Sequence, residues 1–356
     1  MQPLFSLPEY DIYTGSLQGA LREWLENRHY SHLFLVTDEH VWHHCVPAFL
    51  EKSALPAHLP SVIVPAGEPA KNLATCERIW KAMFNAGLDR KSLVINLGGG
   101  VIGDMGGFCA ATYKRGVDFV QVPTSLLAMT DAAIGGKLGV DFEGIKNAVG
   151  LFKNPAAVFV DPDFLQTLPP RELRSGFAEV IKHALIGDPD LWNRIAQLQP
   201  AGRSGALALT TDDWLAVLLA SIAVKVRIVL QDPLEKNIRA LLNFGHTVGH
   251  ALESYYLESD DPLTHGEAVA IGMICENPGL RAGLSAVILR HFPHRPVPAA
   301  AFSELWQFIL QDKKNTSGTV RMAVPDATPF SMRIIEPSRT AIEERLSAYN
   351  ALDAIA

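Results

Sequence analysis

The segment Asn243-Phe-Gly-His-Thr-Val-Gly-His-Ala-Leu-Glu253 sets His246 and His250 four residues apart. On a helix that spacing puts both imidazoles on one face, where they could share a metal or a substrate. Histidine pairs at this spacing also occur as plain packing, so their surroundings matter. His265 opens another helical pattern in His265-Gly-Glu-Ala268, and Glu179 lies mid-helix in Gly176-Phe-Ala-Glu-Val-Ile-Lys182. A carboxylate with two imidazoles, leaving positions open, suits a catalytic zinc. The zinc-protease pattern is a poorer fit, because His246-Thr-Val-Gly-His250 lacks the glutamate that serves as general base in HExxH.

A second constellation follows the apolar run Val94–Leu97, which leads straight into Gly98-Gly-Gly-Val-Ile-Gly-Asp104. Glycines at a strand-to-helix turn let backbone amides approach a diphosphate at the helix N-terminus. The spacing is not the GxGxxG of the dinucleotide fingerprint, and such turns also serve packing alone. Basic residues stand singly at Arg115, Lys137, Lys146, Lys182, Lys225, Arg239, Lys313 and Lys314. Any one of them could be an ordinary solvated cation. Lys137 and Lys146 sit in glycine-containing segments, Gly135–Gly139 and Gly144–Ala148, read as flexible loops from which a lysine reaches phosphate or carboxylate.

The elements that must hold these residues change character along the chain. Short β-branched runs at Leu33–Thr37, Ser61–Val64, Ser92–Leu97, Phe119–Val122 and Ala157–Val160 alternate with helical patterns, which predicts a parallel sheet with crossover helices. Beyond about Asp161, amphipathic stretches near 171–187, 211–232, 243–257, 265–277 and 340–352 predict helices. The expected fold is therefore α/β: a Rossmann-like parallel-sheet domain over 1–160 and an all-helical domain over 161–356, with a ligand cleft between them. With 356 residues, 48% of them apolar, the chain can bury a large core. A net charge of −7 without basic runs gives no footprint for nucleic acid. Four scattered cysteines, Cys45, Cys76, Cys109 and Cys275, fit free buried thiols in a reducing compartment. With no apolar run long enough for a bilayer and no signal-like N-terminus, a cytoplasmic protein is expected.

Taken in order, GGGVIGD, ATYKRG, VPTSLLA, GGKLGVDFEGIKN, TLPP, SGFAEVIKHA, LNFGHTVGH, THGEAVAIGM and DKK resemble the 3-dehydroquinate synthase family over nearly the whole chain, from Thr37 to Lys314. The resemblance implies NAD on the N-terminal domain and a divalent metal, zinc or cobalt, on the C-terminal one. Carried over by motif, the metal ligands are Glu179, His246 and His265, which turns His250 from a ligand candidate into a substrate contact. The NAD side becomes Asp38, Glu68, Lys71, Gly99, Gly100, Val101, Ile102, Gly103, Asp104, Thr124, Ser125, Thr167 and Leu168, with Lys137 and Lys146 close by. Asp131, Lys137, Lys146, Asn147, Lys182, Lys225, Arg239, Asn243, His250 and Lys314 match substrate-pocket positions. Arg115 resembles an arginine that reaches the substrate phosphate of the neighbouring subunit, which implies a homodimer.

The implied reaction closes 3-deoxy-D-arabino-heptulosonate 7-phosphate into 3-dehydroquinate with loss of phosphate. Oxidation at C5 by NAD acidifies the neighbouring C–H so that phosphate departs; reduction, ring opening and an aldol closure follow. Lys146, Asn147 and His250 are the candidates for the phosphate environment. Other readings are a different sugar-phosphate cyclase, a metal-dependent polyol or glycerol-phosphate dehydrogenase, and a non-enzymatic binding module. The sequence departs from the family pattern at His40, Ser125, Met129, Pro233 and Asn237, and Glu276-Asn-Pro-Gly279 should end a helix near Asn277.

Overall fold

A computed structural model describes residues 3–143, 145–199, 207, 209–277, 279–280, 283–311 and 319–352. The chain forms two compact units, one of residues 1–168 with 210–226, the other of 169–209 with 227–356.

The first unit is built on strands β1 (Phe5–Ser6), β2 (Asp11–Thr14), β3 (Leu33–Asp38), β4 (Ser61–Val64), β5 (Leu93–Gly98), β6 (Asp118–Pro123), the hairpin pair β7 (Lys137–Phe142) and β8 (Ile145–Phe152), and β9 (Ala157–Val160). Its helices are α1 (Ala20–Glu26), α2 (Glu39–His44), α3 (Val46–Ser53), α4 (Leu73–Asn85) and α5 (Gly100–Thr112). Seven strands make one sheet in the order β1-β2-β9-β6-β5-β3-β4, parallel except for the β1–β2 pair. Every residue of β5 and β9 is buried, the signature of strands covered on both faces. That is why these runs are apolar but for Asn96 of β5, and legible as strands. One core layer packs Phe34, Val36, Val94 and Phe119 of the sheet against Ile79 and Met83 of α4 and Met105 and Phe108 of α5.

The segments around Lys137 and Lys146 are not flexible loops. They pair as the antiparallel β7–β8 hairpin, register Leu138↔Leu151 and Val140↔Val149. Alternation there is masked by glycine and by an outward face that is itself apolar: Phe142, Ile145, Val149 and Phe152 are exposed.

The second unit contains α6 (Pro170–Gly187), α7 (Pro189–Gln197), α9 (His246–Tyr256), α10 (His265–Glu276), α11 (Leu284–His291), α12 (Phe302–Gln311) and α13 (Arg339–Asn350). The long helix α8 (Thr211–Gln231) belongs to the first unit up to Val226 and to the second beyond it. The expectation of an all-helical domain needs one correction: β10 (Met322–Pro325) and β11 (Met332–Ile335) form a hairpin. Helix α10 ends at Glu276, with Asn277 as its C-cap, as the proline-containing interruption leads one to expect.

Candidate active site

In the second unit, a carboxylate and two imidazoles converge. Glu179 projects from the buried centre of α6 and is fully buried. His246 and His265 are the first residues of α9 and α10. Their Nε2 atoms each lie 3.7 Å from Glu179 Oε1, the two rings are 5.2 Å apart, and ligand atoms of all three residues lie within 4.8 Å of one another. The opposite ring nitrogens are held from behind. His246 Nδ1 lies 3.2 Å from the Phe244 carbonyl oxygen, which can only accept, so the proton sits on Nδ1 and Nε2 offers its lone pair. His265 Nδ1 lies 3.4 Å from Glu253 Oε2. A backbone carbonyl on one imidazole and a carboxylate on the other is the arrangement that orients metal-binding histidines.

The carboxylates here attract positive charge. Burial opposes charge on His265, but its hydrogen bonds and attraction to Glu179 and Glu253 outweigh that and raise its pKa to about 9. Lys182, buried one turn from Glu179, is ion-paired with the second carboxylate oxygen. His250 lies beside the cluster, 5.1 Å from the His246 ring and 6.0 Å from that of His265. The donor set, buried at Glu179 and His246 and half-buried at His265, is of mixed oxygen and nitrogen and fits a zinc-like divalent ion.

The start of α10 is fixed by a capping box. Thr264 Oγ1 accepts from the Glu267 amide at 3.3 Å, and Glu267 Oε2 accepts from the Thr264 amide at 2.9 Å. Arg171 grips both Glu267 oxygens at 3.0 and 2.8 Å. Although burial works the other way, these donors hold the Glu267 carboxyl below its ordinary range. Thr-His-Gly-Glu is a legible capping-box signature that went unremarked in the sequence. So did Glu253, which continues the His246, His250 face by a further turn.

Arg239 is almost fully buried in the 3-10 helix Ile238–Asn243, whose start is organised by Asp232. The Asp232 carboxylate accepts from the amides of Lys236, Asn237 and Arg239 at 2.8, 2.6 and 3.1 Å, and Arg239 Nη1 donates to the Pro233 carbonyl at 2.6 Å. These contacts use backbone groups, which explains how proline at 233 and asparagine at 237 are accommodated. Asn243 donates to Glu235 at 2.6 Å. Lys313 and Lys314 lie outside the described residues.

In the first unit, β5 ends at Gly98 and α5 begins at Gly100, with Gly99 as an N-cap that has no side-chain oxygen to offer. A Cβ at Gly98 would lie 2.6 Å from Ile102 Cβ, and one at Gly99 or Gly100 would lie 3.4 Å from Ser125 Oγ or Ala132 Cβ. Backbone thus lines this turn, with the first-turn amides of α5, including those of Val101 and Ile102, free of intrahelical partners, while the Gly103 amide closes the first helical turn on Gly99 O at 3.0 Å. Thr124 follows β6 and bonds back to Gly98 O at 2.9 Å.

Around the turn, Lys71 Nζ pairs with Asp104 Oδ2 at 2.6 Å, and Lys146 Nζ lies 3.7 Å from Glu68. The hairpin is tied to this group by the Asn147 amide on Asp141 at 2.7 Å and the Asp141 amide on Lys71 O at 2.9 Å. Burial, assisted by Glu68, raises the Asp141 carboxyl above its usual range. Lys225 of α8 pairs with Asp131 at 2.7 Å. Asp38 caps α2 by accepting from the amides of His40 and Val41, both at 2.9 Å. The His40 side chain is exposed and takes no part in that cap, so the departure there leaves the turn intact. Thr167 and Leu168 close the 3-10 turn after β9, Thr167 donating to Phe164 O at 3.2 Å. Arg115 is exposed, in a left-handed backbone conformation at φ +70°. Lys137 is exposed at the start of β7.

Two family models cover most of the chain: 3-dehydroquinate synthase N-terminal over residues 61–175 and 3-dehydroquinate synthase C-terminal over 176–315. The chain belongs to the 3-dehydroquinate synthase family. It is 44% identical over 278 residues to the 3-dehydroquinate synthase of Gloeobacter violaceus, covering 75% of each chain. It is 37% identical over 326 residues to that of Parabacteroides distasonis, covering 88% of this chain and 90% of that one. A 2-deoxy-scyllo-inosose synthase, solved with carbaglucose-6-phosphate, NAD+ and Co2+, shares the fold at a TM-score of 0.78, with 24% identity and coverage of 95% and 96%. The glycine turn and the Glu179, His246, His265 cluster both fall within the matched family segments.

Proposed function

We propose that this chain is a phosphate-eliminating cyclase, a carbon–oxygen lyase that converts 3-deoxy-D-arabino-heptulosonate 7-phosphate into 3-dehydroquinate and phosphate, the second step of the shikimate pathway. The observation that carries this reading is the convergence of Glu179, His246 and His265 in a chain matched across both family segments. The match to both family segments favours the cyclase over the dehydrogenase alternative, and the residue cluster weighs against a mere binding module.

Glu179, His246 and His265 would hold zinc or cobalt, and the Gly98–Asp104 turn with Asp38, Glu68 and Lys71 would hold NAD. When bound, these groups supply Lewis acidity and a reversible hydride acceptor. The remaining work falls to side chains. Lys137, Lys146, Asn147, Lys182, Lys225, Arg239, Asn243, His250 and Lys314 bind and orient an anionic substrate, its phosphate and carboxylate matched by fixed cations. Preorganised charges of this kind lower barriers by several kcal/mol without moving during the reaction. Asp131, paired with Lys225, holds that ammonium in place. Arg115, exposed on one subunit, would complete the phosphate site of a partner in a homodimer. Four buried free thiols suit a reducing cytoplasm, and no helix among the described residues is long and apolar enough to cross a membrane.

The test is phosphate release from that substrate by purified protein supplied with NAD and zinc. Release that stops on chelation and returns with metal is expected. No release from protein shown to be loaded with both groups would overturn the proposal.

A further inference from the structure

One buried carboxylate of the second unit has no part in this chemistry. Glu276, the last residue of α10, is 2% exposed. Its Oε2 accepts from the Gly245 amide at 2.8 Å and its Oε1 from the Val248 amide at 2.9 Å. Gly245 is the N-cap of α9 and Val248 its third residue. One remote carboxylate therefore makes both bonds that a capping box makes from within a helix.

The arrangement follows from the packing of α9 on α10. A Cβ at Gly249 would lie 3.1 Å from Val269 Cα, and one at Gly272 would run into the Gly245 carbonyl. The helices thus run antiparallel in close contact, with the start of α9 against the end of α10. Gly245 has φ +81°, and a Cβ there would lie 2.7 Å from Met273 Cγ and 2.9 Å from Val269 O. No residue with its own capping oxygen fits, so the oxygen must come from elsewhere. An acidic residue at the C-terminus of a helix opposes that helix's own dipole. Here the cost is offset because the positive end of α9 faces it, while Arg345 Nη1 donates to the Glu276 carbonyl at 3.0 Å.

His246 and Thr247 lie between the two anchored amides. The His246 ring direction is set by the first turn of α9, and that turn is held by Glu276. The positive end of a helix beside a divalent cation is unfavourable, and a carboxylate on that end relieves it. We propose that Glu276 is a positioning residue for the metal site, orienting His246 Nε2 and neutralising the start of α9. This rests on the reading of Glu179, His246 and His265 as ligands.

The test uses full-length protein stripped of metal, with zinc affinity measured by competition against a chromophoric chelator and folding followed by circular dichroism. Glu276→Gln keeps the side-chain volume but turns an amide N–H toward a backbone N–H. Its zinc affinity is expected to fall about 10–100-fold, the usual effect of losing a group that orients a metal ligand, and its Co2+ absorption bands should shift. Glu276→Asp keeps the charge but is too short for both amides, and should fall between Gln and wild type. Asn277→Ala removes the neighbouring bond to Pro325 O, 2.9 Å in the native protein, without touching α9. It should lower thermal stability and leave zinc affinity unchanged. Wild-type affinity in folded Glu276→Gln, or in Glu276→Asp if the Gln variant does not fold, would overturn the proposal. An equal loss in Asn277→Ala would do the same. His246→Ala separates the two claims: if it keeps wild-type zinc affinity, the ligand assignment fails rather than the role of Glu276.

Discussion

His291 gives a pH dependence of stability that can be worked out from its surroundings. It lies at the end of α11, 2% exposed, with its ring edge-on to Phe177 of α6 at 5.2 Å. Neither ring nitrogen has a hydrogen-bond partner among the described residues. Burial, helped by the adjacent Arg290 charge, lowers its pKa from 6.5 to about 4. Above pH 6.5 both folded and unfolded chains are neutral at this site and it adds no pH-dependent cost. As pH falls through 6.5 the unfolded chain takes up a proton that the folded chain refuses, so stability falls until about pH 4. At about 1.4 kcal/mol for each pH unit of that gap, the loss comes to about 3 kcal/mol. His291→Leu removes the titrating group at similar volume, and loses no hydrogen bond because none is made. Urea unfolding of both proteins from pH 7 to pH 4 isolates the contribution, since every other group titrates in both. The variant should be within about 1 kcal/mol of wild type at pH 7 and pull ahead by about 3 kcal/mol near pH 4. Parallel curves would refute the reasoning.

Glu179→Gln should keep the fold, since Gln fills the same volume, and lose at least about tenfold in zinc affinity; wild-type metal content after dialysis would remove it from the ligand set. Gly98→Ala places a methyl 2.6 Å from Ile102 Cβ, so it should cost about 1–3 kcal/mol by overpacking and weaken NAD binding, read by thermal melts with and without NAD. Arg115→Ala and His246→Ala chains should each be inactive alone. Mixed, they should recover activity, because a hybrid dimer puts both lesions in one site and leaves the other whole; demonstrated heterodimers without activity would argue against a shared arginine.

Much of this fold was legible because the central strands are buried on both faces, which makes β9 an unbroken apolar run and β5 one broken only by Asn96. Helices α6, α8, α9, α10 and α13 announced themselves by amphipathic spacing while the shorter α7, α11 and α12 went unread; His246 was marked by its four-residue spacing from His250, and His265 by its place at a helix start. The β7–β8 hairpin was not legible: glycines and an exposed apolar face hide the alternation that marks a half-buried strand. Nor does any local signal place Thr210–Val226 with the first unit, since one continuous helix runs through that stretch. The convergence of Glu179 with two histidines far along the chain came from the family's motifs, not from spacing. Glu276 was read only as part of a helix break. Its bond to Gly245 spans 31 residues and depends on two helices packed through glycine, which no linear pattern records.

The central claim is a cyclase that uses NAD without consuming it, and cofactor turnover tests it most directly. Purified protein with zinc, a trace of NAD and substrate deuterated at C5 should release phosphate and carbocycle in equal amounts over many turnovers, with NADH absorbance never exceeding the enzyme concentration and the deuterium retained in the product. NADH accumulating in step with substrate loss, without phosphate release, would contradict it and mark the protein as a dehydrogenase.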